Sequence, residues 1–407
     1  MSRTCLTRSF VVWSSTCLAL LGTLGGCQGL DGRQRNRAGN RLFKESQFAS
    51  AAGEYEKALS EVDDPTIHFN LGLAYAKIFK PGYDKPVVLE VAGSQACTSI
   101  PGVKQTTARV CVKEGDTHFN ECDDKNVCPS SFQCQQTQLC TIDDKSLAEL
   151  AAKHFMTWIA VQPTDAEIDK RLEQLNKELH QAELEDCGMG GSGASPGGNS
   201  GECGTPRVAG LKHEIDELAA KDQIRQQMTQ LYIDSDQFDK AIAYWENLLK
   251  DKPNDPQLMG ILAGINLKAG NWRKSIEWYT KVADVAKLPA DKVAAYQFIG
   301  NVAWSKLNSK QLSVPDSIEL SDRGISALQH AAELAPKTPR LFGLQGSIYN
   351  FRAQLHGASW AAGIDRATAQ DLQHQSRVLT DEAKKAQGLD TPPTTPPAVP
   401  GGAKTGG

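Results

Sequence analysis

Along most of the chain apolar residues recur every third or fourth position, the spacing of an amphipathic helix. That rhythm itself recurs. Ala241, Trp245 and Leu248 fall on one helical face, and Ser275, Tyr279 and Val282 repeat the pattern 34 residues later. In each set a small residue lets a second helix approach closely. An aromatic fills the gap one turn on, and an aliphatic residue follows on the same face. Pro253 ends the first segment, because proline cannot continue a helical hydrogen-bond ladder. The pattern predicts helices in antiparallel pairs. Ala51, Tyr55 and Ala58 mark one second helix, with Gly39 on the helix before it. Leu71, Gly72 and Tyr75 begin another pair, whose partner appears only at Ala151, Phe155 and Trp158 and stops at Pro163. Gly300 and Trp304 open a pair that closes with Leu328, Ala331 and Pro336. Gly346 and Tyr349 open the last pair, followed by a helical cap to about residue 387. Asp236 and Gly270 sit in breaks between helices. Trp245, Trp272, Trp278 and Trp304 read as packing within the pairs.

Two stretches interrupt the helical rhythm. Between residues 81 and 145, Val87–Val91 and residues 108–112 have the β-branched composition of strands. Cys122, Cys128, Cys134 and Cys140 follow, each separated by five residues. A segment this poor in large apolar groups cannot build a strong core, and disulfides would replace it. No Cys-x-x-Cys pair is present, and His118 has no second histidine at ligand spacing, so zinc fits poorly. With Cys97 and Cys111 there are six cysteines here, which allow fifteen pairings. The second stretch is glycine- and serine-rich, residues 188–202, flanked by Cys187 and Cys203. Charged helical sequence lies on both sides, so the expected form is two antiparallel helices stapled at their tips. Closing a loop of that size stabilises a fold by about 3 kcal/mol. Residues 391–407 are proline- and glycine-rich and read as a disordered tail.

The N-terminus has a different pattern. Arg3 and Arg8 precede a mostly apolar run at residues 10–21, too short to span a bilayer, and Leu24-Gly25-Gly26-Cys27 follows. This resembles the lipobox of bacterial lipoproteins. The resemblance implies removal of residues 1–26, acylation of Cys27, and anchorage by lipid alone. Gln28, where an aspartate would favour inner-membrane retention, implies the outer membrane. Of eleven cysteines, Cys5 and Cys17 would leave with the signal and Cys27 would carry lipid. The remaining eight, an even number, read as four disulfides in an oxidising compartment.

The 34-residue rhythm resembles tetratricopeptide repeats. That implies an all-α solenoid of helical hairpins, with a small disulfide-rich, β-containing insertion. The resemblance is sharpest over residues 241–282. Ala263 stands where a first helix usually has glycine, and Gly324 where a second usually has alanine. The expected organisation is a signal at 1–26, repeats at 27–80, the insertion at 81–145, and a helical hairpin at 146–219. Further repeats and a cap occupy 220–387, and the tail occupies 388–407. The net charge of −4 offers no basic face for nucleic acid. No phosphate loop, His-Glu-x-x-His or dinucleotide fingerprint occurs. The Gly193–Gly197 match to a hydrolase elbow lies inside the glycine linker, without the strand and helix that elbow needs. Asp234 and Asp236 begin like a calcium loop, but Phe238 occupies the third ligand position. We therefore expect no catalytic residue, metal, cofactor or small-molecule substrate. The expected function is a lipid-anchored scaffold on the periplasmic face of the outer membrane. It would bind protein partners of a motility, secretion or pilus machine through first helices, with Asn70, Tyr232, Asn266 and Asn301 as candidates. The alternative is a peptidoglycan- or glycan-binding lipoprotein.

Overall fold

The computed structural model describes residues 25–82, 87–91, 95–113, 120–123, 126–187 and 205–387. Residues 1–24 of the signal, the side chain of Cys27, the Cys187–Cys203 pair with its glycine-rich loop, and the tail lie outside them. The chain divides into two units, residues 1–237 and 238–407.

In the first unit, α1 (Gly25–Lys44) and α2 (Phe48–Glu61) form a helical hairpin. Next, α3 (Pro65–Ile78) begins where the Asp64 carboxylate accepts from the Thr66 amide and Pro65 takes the first helical position. Asp64 thus satisfies an amide that the helix leaves unpaired, and Pro65 has no N–H to satisfy. Its partner is α5 (Asp144–Ala160), beyond the whole insertion, as the sequence predicts. Gly72 makes the pairing possible, because a Cβ there would lie 2.5 Å from the Phe155 ring. The helix ends are tied by the Lys80 amide, which donates to Asp144 at 3.2 Å.

The insertion is an antiparallel sheet of four strands in the order β1-β4-β2-β3. They are β1 (Val87–Val91), β2 (Lys104–Val112), β3 (Asn120–Glu121) and β4 (Gln133–Ile142), with a short helix α4 (Gln95–Ser99) after β1. The cysteines pair as Cys97–Cys140, Cys111–Cys128 and Cys122–Cys134. The first bond fixes α4 to the centre of the sheet. The other two tie β2 and β4 to the chain that follows β3.

The unit continues with α6 (Asp165–Cys187) and α7 (Pro206–Asp234). Ion pairs Lys221–Asp165, Arg171–Glu214, Lys212–Glu183 and Arg207–Glu185 run in opposite chain directions, so the helices are antiparallel.

The second unit is a succession of helices, each packed on the next. They are α8 (Phe238–Asp251), α9 (Pro256–Lys268), α10 (Trp272–Val285), α11 (Pro289–Ser309), α12 (Val314–Leu334), α13 (Pro339–Leu355) and α14 (Trp360–Ala386). The core joins successive pairs: Ile276 of α10, Ile299 of α11, Leu320 and Leu328 of α12, and Leu341 and Ile348 of α13 are all buried. No single pair could bury these faces alone, so the stack supplies the core. Turns repeat as well. Asp236 and Gly270, one repeat period apart, both take the left-handed backbone conformation, with φ of 57° and 82°. The fold is thus an all-α, tetratricopeptide-like stack of helical hairpins carrying a small disulfide-rich sheet. No described helix is long and apolar enough to cross a membrane.

Candidate functional site

The four candidate surface residues divide sharply. Asn266 is 1% exposed and Tyr232 is 6% exposed, so neither can meet a partner. Both corrections have one physical cause. Asn266 follows Leu262 by four positions and Ala263 by three, and all three face the packed side of α9. Its Nδ2 donates to the Leu262 carbonyl at 2.8 Å. Tyr232 stands in the same relation to buried Met228 and Thr229 on α7. Asn301 is half-buried on α11, three residues before Trp304, which is 42% exposed. Trp245 and Trp272 are buried, as the packing reading requires.

Asn70 is the informative one. Its Nδ2 donates to Asn36 Oδ1 at 3.0 Å and to Asn40 Oδ1 at 3.1 Å. Asn36 and Asn70 are 34 residues apart, one repeat period. The sequence reading missed Asn36 and Asn40, although their spacing of four puts both amides on one face of α1. The Tyr55 hydroxyl also donates to Asn40 Oδ1, at 2.8 Å. Burial pushes the Tyr55 phenol up to about 12, so it remains a donor. With these carbonyls already accepting, Asn36 and Asn40 keep N–H donors and Asn70 keeps its carbonyl acceptor. The cluster offers the two group types that a peptide backbone needs.

In the second unit a groove of about 650 Å3 lies among α8, α9 and α10. Leu249, Met259, Trp278 and Val285 make it apolar, and Lys250 and Lys281 stand on its rim. Lys281 sits over the Trp278 ring at 4.0 Å from the centroid.

The sulfurs of Cys111, Cys122 and Cys128 lie within 4.8 Å of one another, a spacing that would suit a metal ion. Each is spent in a disulfide, so no thiolate is on offer.

Helical hairpins stacked at a 34-residue period define a class of protein-binding repeat scaffolds. Residues 229–291 match the tetratricopeptide repeat family model. No curated protein matches the chain. Two solved structures align over 87% of it. One is the tetratricopeptide domain of P58(IPK), at 9% identity, 99% of that chain and a TM-score of 0.17. The other is yeast Tom70, at 12% identity, 84% of that chain and a TM-score of 0.14. Superposition this loose carries no functional meaning. Tetratricopeptide stacks are typically non-catalytic and bind other proteins.

Proposed function

We propose that the chain is a protein-binding scaffold, tethered by lipid on Cys27 to the periplasmic face of an outer membrane. It would serve a cell-envelope machine for motility, secretion or pilus assembly. The amide cluster of Asn36, Asn40 and Asn70 carries the binding part of this reading. It spans the first helices of two consecutive hairpins and presents donors and an acceptor matched to an extended peptide. The lipobox-like run before Cys27, and six cysteines paired within one small sheet, support an exported, anchored protein. The test is crosslinking in cells with the intact chain, followed by mass spectrometry of the membrane fraction. Envelope-machine subunits linked near α1 and α3, and lost when Asn36, Asn40 and Asn70 are all changed to alanine, are the expected result. Replacing Cys27 with serine should release the protein from membranes. Recovery of cell-wall fragments alone would favour the glycan-binding alternative, for which half-exposed Trp304 is the supporting observation.

A further inference from the structure

Two of the three disulfides lie against each other. The sulfurs of Cys111, Cys122 and Cys128 are all within 4.8 Å of one another, although Cys111 is bonded to Cys128 and Cys122 to Cys134. Cys122 therefore stands beside both sulfurs of a bond in which it takes no part. Hydrogen bonds on either side hold it there. Its amide donates to the Arg109 carbonyl of β2 at 3.0 Å. In the turn that follows, the Asn126 amide donates to Asp123 Oδ1 at 2.6 Å and the Asp123 amide donates to the Asn126 carbonyl at 3.2 Å. That closed turn returns the chain to Cys122 before it reaches Cys128.

A second pairing of the same four cysteines is within reach of this fold. Cys111 and Cys134 stand opposite each other in the β2–β4 ladder. Opposite residues of an antiparallel ladder are about 4.5–5.5 Å apart at Cα, inside the range of about 4.4–6.8 Å that a disulfide spans. Cys122 and Cys128 already meet sulfur to sulfur. The four also differ in access. Cys111 and Cys122 are buried, Cys128 is half-buried and Cys134 is exposed. Exchange needs a thiolate that can reach a disulfide sulfur, so an incoming thiol meets Cys134 first. The exposed neighbours there are Gln133, Gln135 and Gln136, which offer no apolar surface for a protein to dock on and leave room for a small thiol.

We propose that Cys134 is a covalent acceptor site for a small monothiol of the glutathione class, and that its modification passes inward as disulfide exchange. The steps balance with no net oxidation. The external thiolate bonds to Cys134 Sγ and expels Cys122 as a thiolate. Cys122 attacks Cys128 Sγ in the neighbouring bond and expels Cys111. Cys111 attacks Cys134 Sγ, its partner across the ladder, and expels the external thiolate. The small thiol is recovered, and the products are Cys111–Cys134 and Cys122–Cys128. The consequence is mechanical. Before exchange, β2 holds one end of the 122–128 turn through Cys111 and β4 holds the other through Cys134. After exchange the turn closes on itself and β2 is clamped directly to β4. Val127, 86% exposed, then rides on a turn that no disulfide ties to the sheet. Cys97–Cys140 takes no part, because Cys140 is fully buried and its bond lies outside the three-sulfur contact.

The test uses the full oxidised chain with Cys5, Cys17 and Cys27 changed to serine, so that the added thiol is the one that starts exchange. Reduced glutathione is added under argon at about pH 8, where thiols are partly ionised. Acid stops the exchange, and peptic fragments are mapped by mass spectrometry. Cleavage after Phe119, Phe132 and Leu139 gives one fragment holding Cys122 and Cys128, one holding Cys134 and one holding Cys140. In the native pairing the first of these is bridged to the fragments of Cys111 and Cys134. The expected result is its release with an internal disulfide, together with a new Cys111–Cys134 bridge, while Cys97–Cys140 persists. Native bridging retained at every glutathione concentration, or loss of Cys97–Cys140 in step with the other two bonds, would overturn the proposal. A second variant fixes the point of entry. Cys111→Ser with Cys128→Ser leaves the Cys122 thiolate no neighbouring bond to attack, so glutathione should accumulate on Cys134. Its accumulation on Cys122 instead would sink the idea.

Discussion

Gly72 and Phe155 occupy one space: a Cβ on residue 72 would stand 2.5 Å from the Phe155 ring, although the whole insertion separates them in the chain. Phe155 is fully buried. Gly72→Ala should therefore cost about 1–3 kcal/mol, the range for overpacking. Urea denaturation would measure it. The double change Gly72→Ala with Phe155→Leu should recover part of the loss. A single Gly72→Ala of unaltered stability would mean the seam is slack.

Ser275 stands where the preceding repeat has Ala241, and both are buried. The Ser275 hydroxyl makes no hydrogen bond among the described residues. A buried, unpaired hydroxyl costs about 1–3 kcal/mol. Ser275→Ala should thus leave stability unchanged or raise it by about 1 kcal/mol, read as a higher thermal midpoint. A clear loss would show that the hydroxyl is bonded in solution.

Asp165 holds two buried cations at the start of α6, with Lys221 Nζ at 2.8 Å and Arg225 NH2 at 2.9 Å. Burial alone would raise its carboxyl, but the hydrogen bonds from Arg225 and Lys221 outweigh this and hold it below the usual range. A depressed carboxylate contributes stability that is present above its unfolded value near 3.9 and lost as pH falls through the lower folded value. Asp165→Asn should cost roughly 2 kcal/mol at neutral pH, less than a fully buried pair, because Asp165 is partly solvated. It should also flatten the acid limb below about pH 4. Denaturation curves at pH 7 and pH 3 check both statements.

Asp365 of α14 is 3% exposed and binds Arg352 of α13 with both oxygens, at 2.9 and 2.6 Å. Arg352 also reaches Asp322 of α12, so one guanidinium joins the last three helices. Asp365→Ala should destabilise the cap by about 3 kcal/mol. Arg352→Lys should recover little, because an ammonium cannot bind a carboxylate with two parallel hydrogen bonds. Hydrogen exchange localised to α14 would separate fraying of the cap from global unfolding.

Much of this architecture is legible from side-chain spacing. Gly72 and Phe155 announce a split hairpin because only a glycine admits a large ring against a helix. The α6–α7 hairpin is legible from its charge pattern. Strand β4 is not, since its first half, from Gln133 to Gln136, is exposed and polar and shows no alternation. The cysteine spacing also hides the pairings. Cys111 and Cys134 face each other in the β2–β4 ladder, yet each bonds a cysteine elsewhere. Asn266 and Tyr232 could have been placed correctly, because counting three or four positions from Ala263 and Met228 puts both inside. The contact of His68 on α3 with His154 on α5 has no local signal. It exists only once the split hairpin closes.

The staple from Cys97 to Cys140 has a kinetic side. In the reduced chain α3 and α5 must find each other across a loop of about 65 residues, and the bridge shortens that path to about 20, which favours closure by about 1 kcal/mol. A purely helical repeat would then assemble at a speed set by the thiol chemistry of its surroundings. The oxidant that forms the bridge acts, in effect, as a folding catalyst for helices that contain no bonded cysteine of their own.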